Sequence, residues 1–223
     1  MSVNIAIDGP AGAGKSTIAK ACAAKLGYVY VDTGAMYRSI ALYMIEHGID
    51  VSDENLVSSN VSSVALDISY ADGEQRIFLN KIDVTGKIRT PEVSAAASAV
   101  SAYKKVRESL LSMQRDIAAK ENVIMDGRDI GTTILPNADI KIYLTASADV
   151  RGNRRYKELT EKGIKVDLES VINDVKKRDE ADLTRAVSPL RMASDAILID
   201  SSDMTIDQVV DKIVNYVNGM IKK

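Results

Sequence analysis

The chain contains one cysteine, one histidine and four prolines in 223 residues. A lone Cys22 excludes an intrachain disulfide framework and a multi-cysteine metal cluster. A lone His47 makes a histidine-based metal centre a poor expectation. Cys22 falls in a helical pattern, where a small buried thiol is expected rather than a reactive one, and His47, beside Gly48, reads as a helix C-terminal residue. Neither charge sign is in excess: 29 basic and 31 acidic residues leave a net charge of −2. That balance argues against a generalised nucleic-acid or membrane surface, so any anion site must be local. No apolar stretch approaches the roughly 18 residues of a membrane span, and no signal-type apolar segment opens the chain. A cytoplasmic protein is expected, with no internal repeat or low-complexity tract.

What remains is 46% hydrophobic and 27% charged, enough for a sizeable core in one α/β domain carrying insertions. Its most informative segment is Gly9-Pro10-Ala11-Gly12-Ala13-Gly14-Lys15-Ser16-Thr17, which matches G-x-x-x-x-G-K-[ST]. The segment lies between an apolar run, Val3 to Ile7, and a helical pattern, Ile18 to Leu26, the setting a phosphate-binding loop requires. Glycines let consecutive N–H groups converge on phosphate oxygens at a helix N-terminus. Lys15 then reaches the β- and γ-phosphates, and a hydroxyl, from Ser16 on spacing with Thr17 as the alternative, holds Mg²⁺. ATP and Mg²⁺ are the expected cofactors.

Five short apolar runs read as buried parallel strands: Val3 to Ile7, Tyr28 to Val31, Asn122 to Met125, Ile140 to Leu144 and Ala196 to Ile199. Helical patterns cover 16–26, 34–47, 91–119, about 149–162, 168–178 and 205–221. Thr90-Pro91-Glu92 supplies a cap, a first-turn proline and an early acid; Thr205 and Gln208 form a capping box, with Met204 placed as a staple onto Val209. Alternation of strand and helix predicts a doubly wound, five-stranded parallel sheet with ligands at the carboxyl ends of its strands. Residues 63–88 instead alternate as short strands with turns at Ala71-Asp72-Gly73 and near Asn80-Lys81, a small antiparallel sheet inserted in that core. Between Arg151 and Arg191 fall six of the twelve arginines; phosphate contacts and a solvated helical face are equally good readings of that cluster.

Asn80-Lys81-Ile82-Asp83 matches the guanine-reading N-K-x-D of regulatory GTPases, but no D-x-x-G tetrad occurs between Thr17 and Asn80. A polar hairpin turn is the cheaper explanation. Other motifs point to an acceptor molecule instead. The chain resembles the nucleoside monophosphate kinases, and specifically the bacterial cytidylate kinases. The resemblance rests on G-P-A-G-A-G-K-S-T at 9–17, D-T-G-A-M-Y-R at 32–38, G-K-I-R-T-P-E-V at 86–93, D-G-R-D-I-G-T at 126–132 and K-R-D-E-A-D-L-T-R-A-V-S-P-L at 177–190.

That resemblance implies transfer of a phosphoryl group from MgATP to CMP or dCMP; a kinase for UMP, dTMP or AMP and, from another class, a GTP-binding switch are the alternatives. It implies one kinase domain over 1–223: a core of about 1–33, 91–150 and 192–223, a monophosphate-binding insertion at 34–90 and a helical lid at 151–191. Arg38, Arg128 and Arg185 are expected on the acceptor's phosphate, with Lys15, Arg128 and Arg185 catalytic. Ser98, Arg107 and Asp129 are expected at the cytosine edge, Arg178 and Asp182 at the ribose, and Thr33 where the family usually has serine. Asp126 ends a buried strand and is expected to join Ser16 at the metal. Ser98 and Arg107 are nine residues apart, about 2.5 turns, so one unbroken helix would point them to opposite faces. Partners are expected to be CMP and dCMP alone, without nucleic acid or membrane, and the chain a monomer.

Overall fold

Unbroken β-branched runs favour strands buried on both faces, and helical periodicity fills the intervals between them. A computed structural model of the chain describes residues 2–71 and 73–221. Its strands are β1 (Asn4–Asp8), β2 (Val29–Asp32), β3 (Leu66–Ala71), β4 (Glu74–Leu79), β5 (Ile82–Asp83), β6 (Val123–Gly127), β7 (Ile140–Thr145) and β8 (Ile197–Asp200). Its helices are α1 (Lys15–Leu26), α2 (Thr33–Glu46), α3 (Glu54–Asn60), α4 (Pro91–Val100), α5 (Lys104–Lys120), α6 (Ala148–Glu161), α7 (Leu168–Thr184) and α8 (Ile206–Ile221). Among the described residues no helix is long and apolar enough to cross a membrane.

The five expected strands form one sheet in the order β2-β6-β1-β7-β8. β1 runs parallel to β7, with Ile5 opposite Ile140 and Asp8 opposite Tyr143, and β7 runs parallel to β8. Two compact units result, one built on Val29–Val123 and one on Val3–Tyr28 with the stretch that starts at Ile124. In the second unit Ile5, Ala6, Ile7 and Leu144 are fully buried. α8 buries Val209, Val210, Ile213 and Val217, the stripe of a helix with one apolar face. Each such aliphatic side chain taken from water contributes about 1.5–3 kcal/mol. Its capping box forms as expected, with Thr205 N–H donating to Gln208 Oε1 at 2.9 Å and Gln208 N–H to Thr205 Oγ1 at 3.3 Å.

In the first unit α2 buries Met36, Ile40 and Met44 at four-residue intervals. The inserted sheet is present, in the order β3-β4-β5 and antiparallel throughout. Its first turn carries Gly73 at φ 74°; Asp72 lies outside the described residues. Its second turn is Asn80-Lys81, with φ of 47° and 71°, the doubly left-handed turn that matches strand twist. The N-K-x-D tetrad is therefore a hairpin tip, and Asp83 accepts the Thr85 N–H at 2.9 Å.

Three local expectations change. The helix expected over 91–119 is two helices: α4 ends at Val100, and Tyr103 restarts the chain from an extended conformation (φ −84°, ψ 130°) as the N-cap of α5. α7 runs past residue 178 to Thr184. α3 was not expected, although Asp53 caps it by accepting from Asn55 and Leu56 N–H groups. Cys22 is buried and its thiol is pushed up to about 11, chiefly by burial. His47 ends α2, stacked on Tyr43 at 3.9 Å between ring centroids.

Candidate active site

In the second unit the phosphate loop follows β1. Gly9 sits at φ 150°, and a Cβ there would lie 1.9 Å from the Leu144 carbonyl oxygen, so the loop can leave the sheet only through glycine. α1 then starts at Lys15 without a side-chain cap and without an acid in its first turn, so the positive end of its dipole is not offset there by a first-turn carboxylate. Lys15 is 6% exposed, and its ammonium donates to the Pro10 carbonyl at 2.7 Å. Burial, with Arg128 as a neighbouring positive charge, lowers Lys15 to about 7 against the pull of Asp126, Asp182 and Asp8. Ser16 Oγ donates to Asp126 Oδ2 at 2.9 Å, across the gap between α1 and the end of β6.

The segment after β6 and the end of α7 bring four of the expected residues into one chain of alternating charge. Arg128 Nε donates to Asp182 Oδ2 at 2.6 Å, Asp182 lies 3.9 Å from Arg185, and Arg185 Nη2 donates to Asp129 Oδ1 at 3.2 Å. Burial raises the Asp182 carboxyl, but Arg128 and Arg185 outweigh it and hold the group below the ordinary carboxylate range. Arg178, one turn earlier on α7, adds to that effect. Arg185 is further held by the Ser188 carbonyl, where Ser188 adopts φ 48°. Asp182 is thus the partner of two arginines in this state.

In the first unit Asp32 caps α2, accepting from Ala35 N–H at 2.9 Å. Its second oxygen accepts from Arg38 at 2.8 Å and from Arg89 at 3.1 Å. Gly34 makes room for this pair, since a Cβ there would lie 2.9 Å from Arg38 Nη1. Arg38 Nε is buried and has no hydrogen-bond acceptor among the described residues. Thr33 is buried at the first position of α2. Ser98 and Arg107 lie on two helices, α4 and α5, so the geometry of one unbroken helix does not apply to them; Arg107 folds back to donate to the Ser101 carbonyl at 3.1 Å. Its guanidinium also lies 5.6 Å from the centroid of the Tyr37 ring.

The arginine-rich stretch divides by burial. Arg151 is 5% exposed, forks onto Asp179 at 3.0 and 2.6 Å and donates to the Ala11 and Ala146 carbonyls, both at 2.8 Å. Arg154 binds the Ser201 carbonyl, whereas Arg155 pairs with Glu158 at the surface. Arg89, Asp179 and Asp8 are the members of these networks that the sequence did not single out, and Arg151, read there only as one of an arginine cluster, proves to be a buried ion-pair partner. Arg89 stands inside the quoted G-K-I-R-T-P-E-V motif and could have been found there.

Three comparisons bear on this arrangement. The cytidylate kinase family model matches residues 5–219. A cytidylate kinase of Caldicellulosiruptor bescii is 49% identical over 220 residues, 99% of this chain and 97% of the relative. One from Leuconostoc mesenteroides is 50% identical over 217 residues, 97% of each chain. A gluconokinase structure from Sinorhizobium meliloti 1021 shares the fold, with a TM-score of 0.50 at 13% identity, over 99% of this chain and 92% of that one. A phosphate loop with its buried lysine, followed over the whole length by the family's own sequence, places this chain in the cytidylate kinase family.

Proposed function

We propose that the protein transfers the γ-phosphoryl group of ATP to the 5′-phosphate of CMP or dCMP, releasing ADP and the nucleoside diphosphate. The observation that carries the reading is the set of arginines each held by a carboxylate, Arg38 on Asp32, Arg128 on Asp182 and Arg185 on Asp129. An acceptor that is itself a phosphate dianion needs such fixed positive groups, because it must approach a second polyanion. Its attacking oxygen is ionised at neutral pH, so no general base is required. Lys15 stabilises charge that grows on the transferring group, while residues 9–17 cradle the donor.

Ser16 and Asp126 present hard oxygen donors 2.9 Å apart, the chemistry Mg²⁺ prefers, and phosphate oxygens and water would complete six ligands. Such an ion would neutralise the donor's phosphates. Ser98, Arg107 and Asp129 are assigned to the cytosine edge, Arg178 and Asp182 to the ribose, and Thr33 to the acceptor. Residues 34–90 serve as the monophosphate-binding insertion and 151–191 as the lid that excludes water. A cytoplasmic monomer is the proposed setting.

The test is ADP formation from MgATP with CMP, dCMP, UMP, dTMP or AMP in turn, and with no acceptor. ADP formed with CMP and dCMP far above the other arms supports the reading. A no-acceptor rate equal to the CMP rate, or preference for another monophosphate, overturns it.

A further inference from the structure

Asp8 is the last residue of β1, 5% exposed, and the chemistry described so far leaves it unused. Its two carboxylate oxygens accept from consecutive backbone N–H groups, Ile130 at 2.8 Å and Gly131 at 2.7 Å. Those N–H groups open a π-helical turn, Ile130–Ile134, that begins directly after Asp129. The first N–H groups of any helical turn have no partner inside it and need an outside acceptor. An aspartate at the N-cap position normally supplies one from its own side chain. Here Asp129 occupies that position and makes no side-chain cap. Its carboxylate is turned to Arg185 instead, and the cap comes from a strand more than 120 residues away in sequence.

The packing leaves little slack. A Cβ on Gly131 would lie 3.4 Å from Asp8 Oδ2 and 3.0 Å from the Lys141 side chain. Asp8 also directly precedes Gly9, but its side chain faces the turn after Asp129. We propose that Asp8 is a positioning residue for phosphoryl transfer: by capping the turn at Ile130 and Gly131 it frees the Asp129 carboxylate, and holds Arg128 and Asp129 where the acceptor is bound. The inference rests on the CMP kinase reading above.

Charged and titratable groups face Asp8 from several sides: Asp129 on the capped turn, Lys15 on α1, Arg128 after β6 and Tyr143 on β7. Burial raises the carboxyl to about 6, with Asp129 adding to the rise and the two N–H groups and Lys15 opposing it. Protonation puts an O–H against an N–H donor and removes half of the cap. Activity toward the acceptor should therefore decline as pH falls through about 6.

The test is steady-state kinetics of the full chain and of Asp8→Asn from pH 5 to 8. The asparagine keeps one acceptor but sets its NH₂ against the second N–H. Expected is a loss of about tenfold or more in kcat/KM for CMP at pH 8, with affinity for a non-hydrolysable ATP analogue within threefold of the unaltered chain. The acceptor's own phosphate titrates near 6. Log kcat/KM for CMP should then approach a slope of two at the acid end in the unaltered chain, and of one in Asp8→Asn. A purely structural role would lower Tm and weaken both nucleotides alike, with a slope of one in both proteins. That result, or a kcat/KM within twofold of the unaltered chain, overturns the proposal. If Asp8→Asn does not fold, the profile of the unaltered chain decides: a slope of two supports the role and a slope of one overturns it. CMP-dependent ADP formation by the unaltered chain at pH 8 tests the underlying function separately.

Discussion

Asp179→Asn removes the negative partner of a guanidinium that cannot lose its proton. Arg151 has a side chain 6% exposed and Asp179 one 17% exposed, so the pair lies in the range where breaking one side leaves an uncompensated buried charge. Such losses run to about 3–5 kcal/mol. The asparagine oxygen still accepts one N–H, and Arg151 keeps its bonds to Ala11 and Ala146, which favours the lower end, about 3 kcal/mol. For a chain of this size each kcal/mol moves Tm by about 2–4 °C, so a decrease of about 6–12 °C is expected. The Lys25–Asp211 pair, 2.7 Å long but with side chains 51% and 61% exposed, is the control. Asp211→Asn should leave Tm unchanged within error, because an exposed pair of similar length is screened by water and salt. Thermal unfolding followed by circular dichroism measures both. Equal shifts in the two variants would refute the claim that burial, rather than contact distance, sets the strength of the Arg151 fork.

Lys15→Ala should lower kcat about 10²–10³-fold with much smaller changes in either KM, and turnover within a few fold of the unaltered chain would refute the clamp. Lys15 is lowered to about 7, so at pH 8 about nine-tenths of it is neutral in the free chain, and polyphosphate binding should take up close to one proton. Calorimetric binding enthalpies that do not vary with buffer ionisation enthalpy would refute this. The sign for stability follows: between about 7 and the ordinary lysine value of 10.5 the unfolded chain holds more protons, so the free protein gains stability as pH rises through that window. Lys81→Gly relieves a left-handed non-glycine residue at a hairpin tip and should raise stability by about 0.5–1 kcal/mol. A fall in Tm would contradict the turn assignment.

Local signals carried the reading where one segment's chemistry suffices. Unbroken apolar runs located the five core strands, and Thr90-Pro91 located the start of α4, where Thr90 does accept the Val93 N–H at 3.2 Å. The break at Ser101-Ala102-Tyr103 was invisible because no glycine or proline marks it. What anchors it is one tertiary bond, Tyr103 Oη donating to the Val51 carbonyl, and one local bond across the break, Arg107 donating to the Ser101 carbonyl. The loop conformation at 9–17 was legible for the same local reason, since glycine spacing acts within nine residues. The pairings Arg151–Asp179 and Asp8 with Ile130 and Gly131 join segments 28 and more than 120 residues apart, and nothing in either segment alone predicts them. Sequence reading also assigned Asp182 to a ribose without foreseeing that Arg128 already holds it at 2.6 Å.

The carboxylates beside the arginines have a consequence for how binding responds to salt. A bare cationic surface collects anions from solution and releases them when a phosphate arrives, which makes affinity fall steeply with ionic strength. Here Asp32, Asp129 and Asp182 are the protein's own built-in counter-ions, covalently tethered and mostly buried. If these arginines bind the acceptor as proposed, an incoming monophosphate would trade places with a tethered carboxylate rather than with dissolved chloride. Acceptor affinity should therefore change little between low and physiological salt, unlike a site of exposed lysines with the same formal charge.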